Sequence, residues 1–359
     1  MSTPTDFLNE VNKNYKTEIV LGQDKTKSIK KKRFSTGVFH LDLQIGGGWL
    51  RGHNQEIAGP EQSGKTLLAI KAMQSIANYC RCTKTLLTCE CGKKEPSKTL
   101  YVDAEGTLDI DWCQTCGVTP DMYYYVRPQY GEQTSDIINK AILENTFDLI
   151  ILDSLDCVLP LKSIESSIED GQRMAARAAL IGDSLRKWNM SRLQLAKEDS
   201  PALITLNQLR EKPTIYGNPW YMPGGNAQKF YHDIIIWLTK GKSEDDSASG
   251  ETGKMLLGGK TEKNKTFKPK MEFAFYLALE NSDLYKKGQI QNIEQLFDLG
   301  KKYNLIIKDK GWNFNNEVIA PNGEEFQALL KSSGKGPKLW RSILNHVCGY
   351  SNISENVLG

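Results

Sequence analysis

The sequence predicts an α/β fold: a mostly parallel central sheet, helices on both of its faces, and a small C-terminal α/β domain. Three observations support this. Short apolar runs rich in β-branched residues, among them TLYVDAEG, DLIILDSLD, PALITLNQLR and HDIIIWLTK, recur between Phe34 and Lys240. Helical spacing in IINKAILEN and RMAARAALIGDSLRKW separates them, so crossovers return the chain and the strands run parallel. Acidic residues close several of these runs, at the carboxyl strand ends where such sheets bind ligands.

Composition narrows the function classes. A chain of 359 residues, 25% charged and 39% hydrophobic, exceeds one average domain and has enough apolar residues for a core. The formal charge of +3 announces no global basic field; binding a polyanion would need local clusters, because screening acts within about 8 Å. No apolar run approaches the ~20 residues of a membrane helix, and MSTPTDFLNEV does not read as a secretory signal. A cytoplasmic protein is expected. Six of the eight cysteines lie between Cys80 and Cys116, which in a reducing compartment favours metal binding over disulfides.

Taken in order, residues 1–33 form an N-terminal arm, with the weakly amphipathic FLNEVNKNYKTEIV followed by a solvated basic linker, KTKSIKKKR. Residues 34–286 carry the alternating pattern of the core. Within it, residues 79–97 are a cysteine-rich insertion, and residues 241–254, GKSEDDSASGETGK, are a polar hairpin tip. MLLGGKTEKNKTFKPKMEFAFYLAL then resumes β-like alternation. Residues 287–359 form the small C-terminal α/β domain, from the helix IEQLFDLGKKYNLI to the helical LWRSILNHV.

The chemistry begins at GPEQSGKT. Gly59, Pro60, Glu61, Gln62, Ser63, Gly64, Lys65 and Thr66 fit the Walker A pattern between a strand, GHNQEIA, and a helix, LLAIKAMQSIA. Backbone N–H groups at such a helix start favour an anion. Lys65 would reach the terminal phosphates of a bound nucleotide and Thr66 would ligate Mg2+. Asp153 closes an apolar strand and is placed to hold the water shell of the magnesium ion. Glu105, at another strand end, is the candidate base for an attacking water; Asp103, two residues earlier, supports the loop. Gln208 closes a fourth strand as an uncharged contact to the terminal phosphate.

The order of these pieces resembles the RecA family of recombinases. The resemblance spans FSTGVFHLDLQIGGGWLRGHNQEIAGPEQSGKT, YVDAEGTLD, IILDSLDCVLP, NQLR, GNPWYMPGGNAQKFYHD and TEKNKTFKPKMEF, and extends to IEQLFDLGKKYNLIIKDKGWNF in the tail. It implies a RecA-like P-loop ATPase core in which Glu105 is the catalytic glutamate, Asp153 the Walker B aspartate and Gln208 the sensor of the terminal phosphate. By the same resemblance Asp109 and Trp112 line the adenine pocket. Lys263 and Lys265 would reach a neighbouring protomer's ATP, and Lys229 and Phe230 would lie at the protomer boundary. Without that context the two lysines read as protection of an exposed edge strand, and Phe230 as core filling. The N-terminal segment would dock on a neighbouring protomer.

Two loops would contact DNA by this resemblance. The first runs from about Lys162 to Arg173, with Arg177 on the next helix; it holds three acidic residues and few basic ones. The second runs from Glu211 to Pro223, with Arg210 at its base, Lys212 and Tyr216 within it, and Gly224, Gly225 and Asn226 closing it. Glycine, proline and aromatics beside basic groups suit a segment that orders around a strand.

The cysteines depart from the family pattern. Cys80, Cys82, Cys89 and Cys91 form two C-x-C pairs, a set of four thiolates suited to tetrahedral Zn2+ in a loop without a core. Cys113 and Cys116 either join that site or fill the core as buried thiols; Cys157 and Cys348 read as core residues. This insertion and the divergent loops point to a viral (phage) or plasmid relative. The resulting expectation is a DNA-dependent ATPase that polymerises on single-stranded DNA as a helical filament and pairs it with homologous double-stranded DNA. The alternatives are a hexameric DNA motor of the same fold, either a helicase or a RadA-type branch-migration ATPase, and a non-enzymatic mediator or nucleotide switch.

Overall fold

The computed structural model describes residues 4–15, 32–82, 95–165, 173–195, 200–211, 219–244, 253–314, 317–333 and 335–348. They divide into two compact units, Met1–Lys32 and Arg33–Gly359. The first unit contributes one described helix, Pro4–Tyr15. Proline stands at its start, Asp6 lies in its first turn and Lys13 in its last, an arrangement that complements the helix dipole.

The second unit opens with a two-stranded ribbon, β1 (Arg33–Phe34) and β2 (Trp49–Leu50), which brackets the helix Phe39–Ile45. Then come β3 (Asn54–Gly59), β4 (Thr99–Asp103), β5 (Tyr123–Val126), β6 (Leu149–Asp153), β7 (Ala202–Gln208), the short β8 (Arg210–Glu211) and β9 (Trp220–Tyr221), β10 (Ile234–Leu238), β11 (Lys242–Glu244), β12 (Lys254–Asn264) and β13 (Glu272–Ala278). Nine of these build one sheet in the order β11-β12-β10-β3-β7-β6-β4-β5, with β13 also paired to β12. From β10 to β5 every pairing is parallel; β11, β12 and β13 add antiparallel strands at one side.

Strand alternation divides the apolar residues between the two faces. Tyr101, Ile151 and Ile204 face one core with Leu68 and Met73 of the helix Lys65–Ala77. Their neighbours Val102, Leu152 and Leu203 face another, with Ile138 of the helix Gly131–Glu144 and Leu185 and Trp188 of the helix Arg173–Arg192. The strand β5 carries no such alternation: Tyr124 and Tyr125 are exposed at the sheet edge, so its YYYV run has no two-sided apolar signal.

Beyond β13 the chain forms a small sheet of β14 (Ile306–Lys308), β15 (Trp312–Phe314) and β16 (Glu317–Ala320) with helices Asn292–Lys302, Gly323–Ser332 and Lys335–Cys348. Their core takes in Phe39 and Leu43 from near the start of the unit, and the Phe39 ring stacks on Trp340 at 4.3 Å. No helix among the described residues is long and apolar enough to cross a membrane.

A buried polar network lies where β3 and β7 meet the helix Ala227–Tyr231. The Asn207 amide donates to Glu56 Oε1 (2.9 Å), Gln228 Oε1 (2.7 Å) and the Pro223 carbonyl (3.2 Å). His232 Nδ1 lies 3.0 Å from the Gln228 carbonyl, and its Nε2 lies 3.0 Å from Thr205 Oγ1. Burial pushes the Glu56 carboxyl up to about 7 despite the Asn207 hydrogen bond, and pushes His232 down to about 4. A carboxyl raised in the folded state holds a proton that the unfolded chain releases above its ordinary 4.5. Its penalty is absent below about 4.5, grows through about 7 and is complete above. Glu56→Gln removes that penalty and keeps an acceptor for Asn207, while His232 stays neutral over the same range. The melting temperature of Glu56→Gln relative to the parent is therefore expected to improve from pH 5 to pH 8. Melting curves at the two pH values check this, and a constant difference would mean that Glu56 is not held as a raised acid.

Candidate functional site

The loop after β3 turns through Gln62 at φ 58° into Gly64 at φ 91°, immediately before the helix Lys65–Ala77. Only glycine takes the second position without strain. A Cβ at Gly59 would lie 2.4 Å from Ser63 Oγ, so the loop closes over a bare backbone. Ser63 Oγ donates to the Pro60 carbonyl, and Lys65 Nζ donates to the carbonyls of Gly59 (3.0 Å) and Pro60 (2.7 Å). Burial lowers the Lys65 pKa, against the opposing pull of Asp153, Glu105 and Glu61. Thr66 is half-buried in the first turn. Glu61, Gln62 and Gln208 share a cleft of about 420 Å³ with Pro60, Leu209 and Lys240, since the β3–β7 register pairs Gly59 with Gln208.

The β4–β6 register likewise pairs Asp103 with Asp153. Asp103 accepts from the backbone N–H groups of Gly106 (2.6 Å), Thr107 (3.3 Å) and Leu108 (3.2 Å), and so shapes the loop that exposes Glu105. The Asp153 carbonyl accepts from the N–H groups of Ala104 and Glu105, fixing that loop to β6. The Asp153–Ser154 peptide is cis. Burial raises the Asp153 carboxyl to about 6; the Tyr101 hydrogen bond opposes this, while Glu105 and Asp103 add to it. Tyr101, fully buried, donates to Asp153 Oδ2 at 2.5 Å, and Tyr125 donates to Asp103 Oδ2 at 2.9 Å. Burial and the adjacent Asp153 hold the Tyr101 phenol well above its usual value, so it remains a donor. Both tyrosines were missed from the sequence. Alternation puts Tyr101 and Asp103 on one face, but only strand order brings Tyr101 to Asp153. Asp109 caps the helix Ile110–Thr115 by accepting from the Trp112 N–H at 2.9 Å, and Trp112 is half-buried against the main core.

Lys263 and Lys265 lie at the opposite edge of the sheet. Gly259 of β12 pairs with Leu238 at the carboxyl end of β10, whereas Lys263 and Asn264 pair with Ile235 and Ile234 at its start. Four residues of strand, about 13 Å, separate the two ends. Lys263 Nζ donates to the Lys229 carbonyl; Lys265 Nζ donates to the Phe230 carbonyl (3.2 Å) and pairs with Asp233 Oδ1 (2.8 Å). Burial would raise the Asp233 carboxyl, but His53 at 2.5 Å and Lys265 hold it well below the usual range. Phe230 is 72% exposed, so it does not fill the core, and Lys229 is exposed beside it.

Two of the arginines assigned to DNA meet at one carboxylate. Arg177 Nη1 lies 2.9 Å from Asp156 Oδ1, and Arg210 Nη2 lies 2.6 Å from Asp156 Oδ2. Asp156, in the short turn Leu155–Cys157, was not anticipated. Arg210 also starts β8, whose pairing with β9 closes the root of the second loop. At the far end of that loop Gly224 takes φ 94°, and a Cβ there would lie 2.6 Å from Gln228 Nε2. Gly225 and Asn226 follow on the surface, before the helix Ala227–Tyr231. Arg173 begins the helix Arg173–Arg192; Lys212 and Tyr216 lie outside the described residues. A larger cleft of about 830 Å³ beside this root is lined by Trp220, Trp237, Lys240, Lys242 and Lys260.

The cysteine-rich insertion leaves the core through a short antiparallel neck, with a bridge between Cys80 and Pro96 and backbone hydrogen bonds from Arg81 to Glu95 and from Ser97 to Tyr79. Arg81 reaches Asp148 at 3.8 Å, and Asp148 also pairs with the buried Arg51 at 3.3 Å. Cys80 Sγ and Cys82 Sγ stand 2.8 Å apart; Cys89 and Cys91 lie outside the described residues. Among the described residues no three His, Cys, Asp or Glu side chains are grouped to hold a metal ion. Cys113 and Cys116 are buried in the main core, and burial pushes the Cys113 thiol up to about 11. Cys157 and Cys348 are only partly buried.

Comparison with known proteins agrees with this geometry. The RecA N-terminal domain family matches residues 5–288. Protein RecA of Mesoplasma florum is 30% identical over 333 residues, covering 92% of this chain and 90% of the relative. Protein RecA of Mycoplasma mycoides subsp. mycoides SC is 34% identical, covering 84% and 79%; that of Brevibacillus brevis is 28% identical, covering 97% and 91%. A phosphate loop, two carboxylates and a glutamine at four parallel strand ends, in a chain this similar to those relatives along most of its length, make it a member of the RecA family of recombinase ATPases.

Proposed function

We propose that the protein assembles on single-stranded DNA as an ATP-bound helical filament, hydrolyses ATP in response to DNA, and promotes homologous pairing and strand exchange with double-stranded DNA. One observation carries this reading. The phosphate loop opens at the carboxyl edge of the sheet, while Lys229, Phe230, Lys263 and Lys265 gather at the amino edge. Those lysines are too far along the strands to serve their own phosphate loop, but they suit the nucleotide of a neighbour stacked head to tail. A head-to-tail contact closes into a ring or continues as a helix.

The residues present fit magnesium and a nucleoside triphosphate. The loop has a bare backbone at Gly59 and Gly64, Lys65 is a cation near three carboxylates, and one of these, Asp153, is a buried carboxyl raised to about 6. Thr66 and Asp153 would hold the magnesium side, Lys65 and the loop N–H groups the phosphates, and Asp109 and Trp112 the adenine. The bound metal supplies charge neutralisation for phosphoryl transfer. Glu105 takes the proton of the attacking water, and Gln208 senses the terminal phosphate and passes its state to the second loop. The lysine cluster of the next protomer completes the cationic cradle, so nucleotide state and filament stiffness are coupled. Arg173, Arg177, Arg210, Lys212 and Tyr216, with the Gly224–Gly225–Asn226 closure, serve the DNA.

We further propose that Cys80, Cys82, Cys89 and Cys91 bind one structural Zn2+. The neck supports this by holding the first two thiols side by side at the base of an insertion too small for a core of its own.

Lys65→Ala is expected to abolish hydrolysis. Glu105→Gln is expected to retain nucleotide and single-stranded DNA while slowing turnover by about 10²–10⁴-fold; brisk turnover in either variant rejects the site. Electron microscopy with ATP and single-stranded DNA should show long helical filaments, whereas closed rings would favour a hexameric motor and the absence of polymer a mediator. Elemental analysis of protein purified without chelators should find about one zinc per chain, and its absence would return the four cysteines to an unmetallated loop.

A further inference from the structure

Asp156 joins parts of the molecule that are far apart in sequence. Its carboxylate is nearly buried, three residues beyond Asp153 in the turn that follows β6. Oδ1 faces Arg177, four residues into the helix after the first loop; Oδ2 faces Arg210, at the root of the second. Arg177 Nη1 also donates to the Asp156 carbonyl at 3.1 Å, which fixes its guanidinium to the turn by two contacts. The Arg177 side chain is 13% exposed and that of Arg210 50%.

Two guanidinium groups on one carboxylate would repel each other without it. Each carries five N–H donors in a rigid fork, and a single nitrogen of each is committed to Asp156 by the contacts above. Arg210, half exposed, keeps an edge available to phosphate oxygens, which arginine binds with two parallel hydrogen bonds; Arg177, whose Nε is buried, offers only the outer part of its fork beside it. We propose that Asp156 is a positioning residue that holds Arg177 and Arg210 as one binding pair for a backbone phosphodiester of single-stranded DNA, tying the roots of both loops to the strand that ends in Asp153. This rests on the reading of the two arginines as DNA contacts.

The test uses the full chain, a fluorescent oligothymidine and a slowly hydrolysed ATP analogue, with binding measured across a salt series. Asp156→Asn is expected to weaken binding about ten-fold at physiological salt and to flatten the slope of log K against log salt by about 0.7, the value of one lost phosphate contact on a single strand. A residue that only braced the turn would leave that slope unchanged. In an Arg210→Ala background the same substitution is expected to cost less, because its effect passes through the missing arginine. Unchanged binding and slope in Asp156→Asn, or tighter binding with a steeper slope, would overturn the proposal; the second result would make Asp156 a competitor of the phosphate. If Arg210→Ala leaves binding unaltered, the assignment of the arginine to DNA fails; if it weakens binding and Asp156→Asn does not, only the positioning role fails. Should Asp156→Asn unfold, Arg210→Lys decides. It keeps the charge but not the two-edged fork, so weaker binding is expected and equal binding overturns the proposal.

Discussion

A parallel sheet has two unlike edges, and every functional feature here depends on that inequality. Six strands from β10 to β5 end together, so Gly59, Asp103, Asp153 and Gln208 form a row that antiparallel pairing would have scattered over both edges. The same geometry, extended through one antiparallel strand, sends Lys263 and Lys265 the opposite way. The phosphate loop and the two lysines therefore lie at opposite ends of one protomer's sheet, and on the proposed reading a second copy joins them.

Burial sets the chemistry of the row. Asp153 lies deep enough that its charged form is costly, and Glu105 and Asp103 add to that cost. Tyrosines offset part of it: Tyr101 donates to Asp153 and Tyr125 to Asp103, leaving Glu105 exposed between them. Carboxylates of the same type thus take different roles. Asp103 is spent on three backbone N–H groups, Asp153 is poised beside Lys65, and Glu105 is free to face water.

Two polar assemblies connect this row to the loops. Asn207, adjacent to Gln208, reaches Gln228 and the Pro223 carbonyl at one end of the second loop. Asp156, just beyond Asp153, reaches Arg210 at the other end and Arg177 behind the first loop. Both assemblies link residues at the ends of parallel strands to the roots of the loops.

The sequence by itself determined the strand–helix alternation, the phosphate loop and the residues at the four strand ends, because these are local: a two-residue or 3.6-residue period, a glycine at a strained turn, an acid at the end of an apolar run. It left Cys113 and Cys116 between a metal site and core filling, and the structure buries both in the main core. Only tertiary structure decided which edge of the sheet each residue faces, which tyrosine meets which carboxylate, and that Phe39 packs on Trp340 some 300 residues away. It also exposed Phe230, which sequence left between core and surface, and joined Arg177 to Arg210 through Asp156. Those facts depend on strand order and register, which arise from the packing of distant segments and leave no periodic trace along the chain.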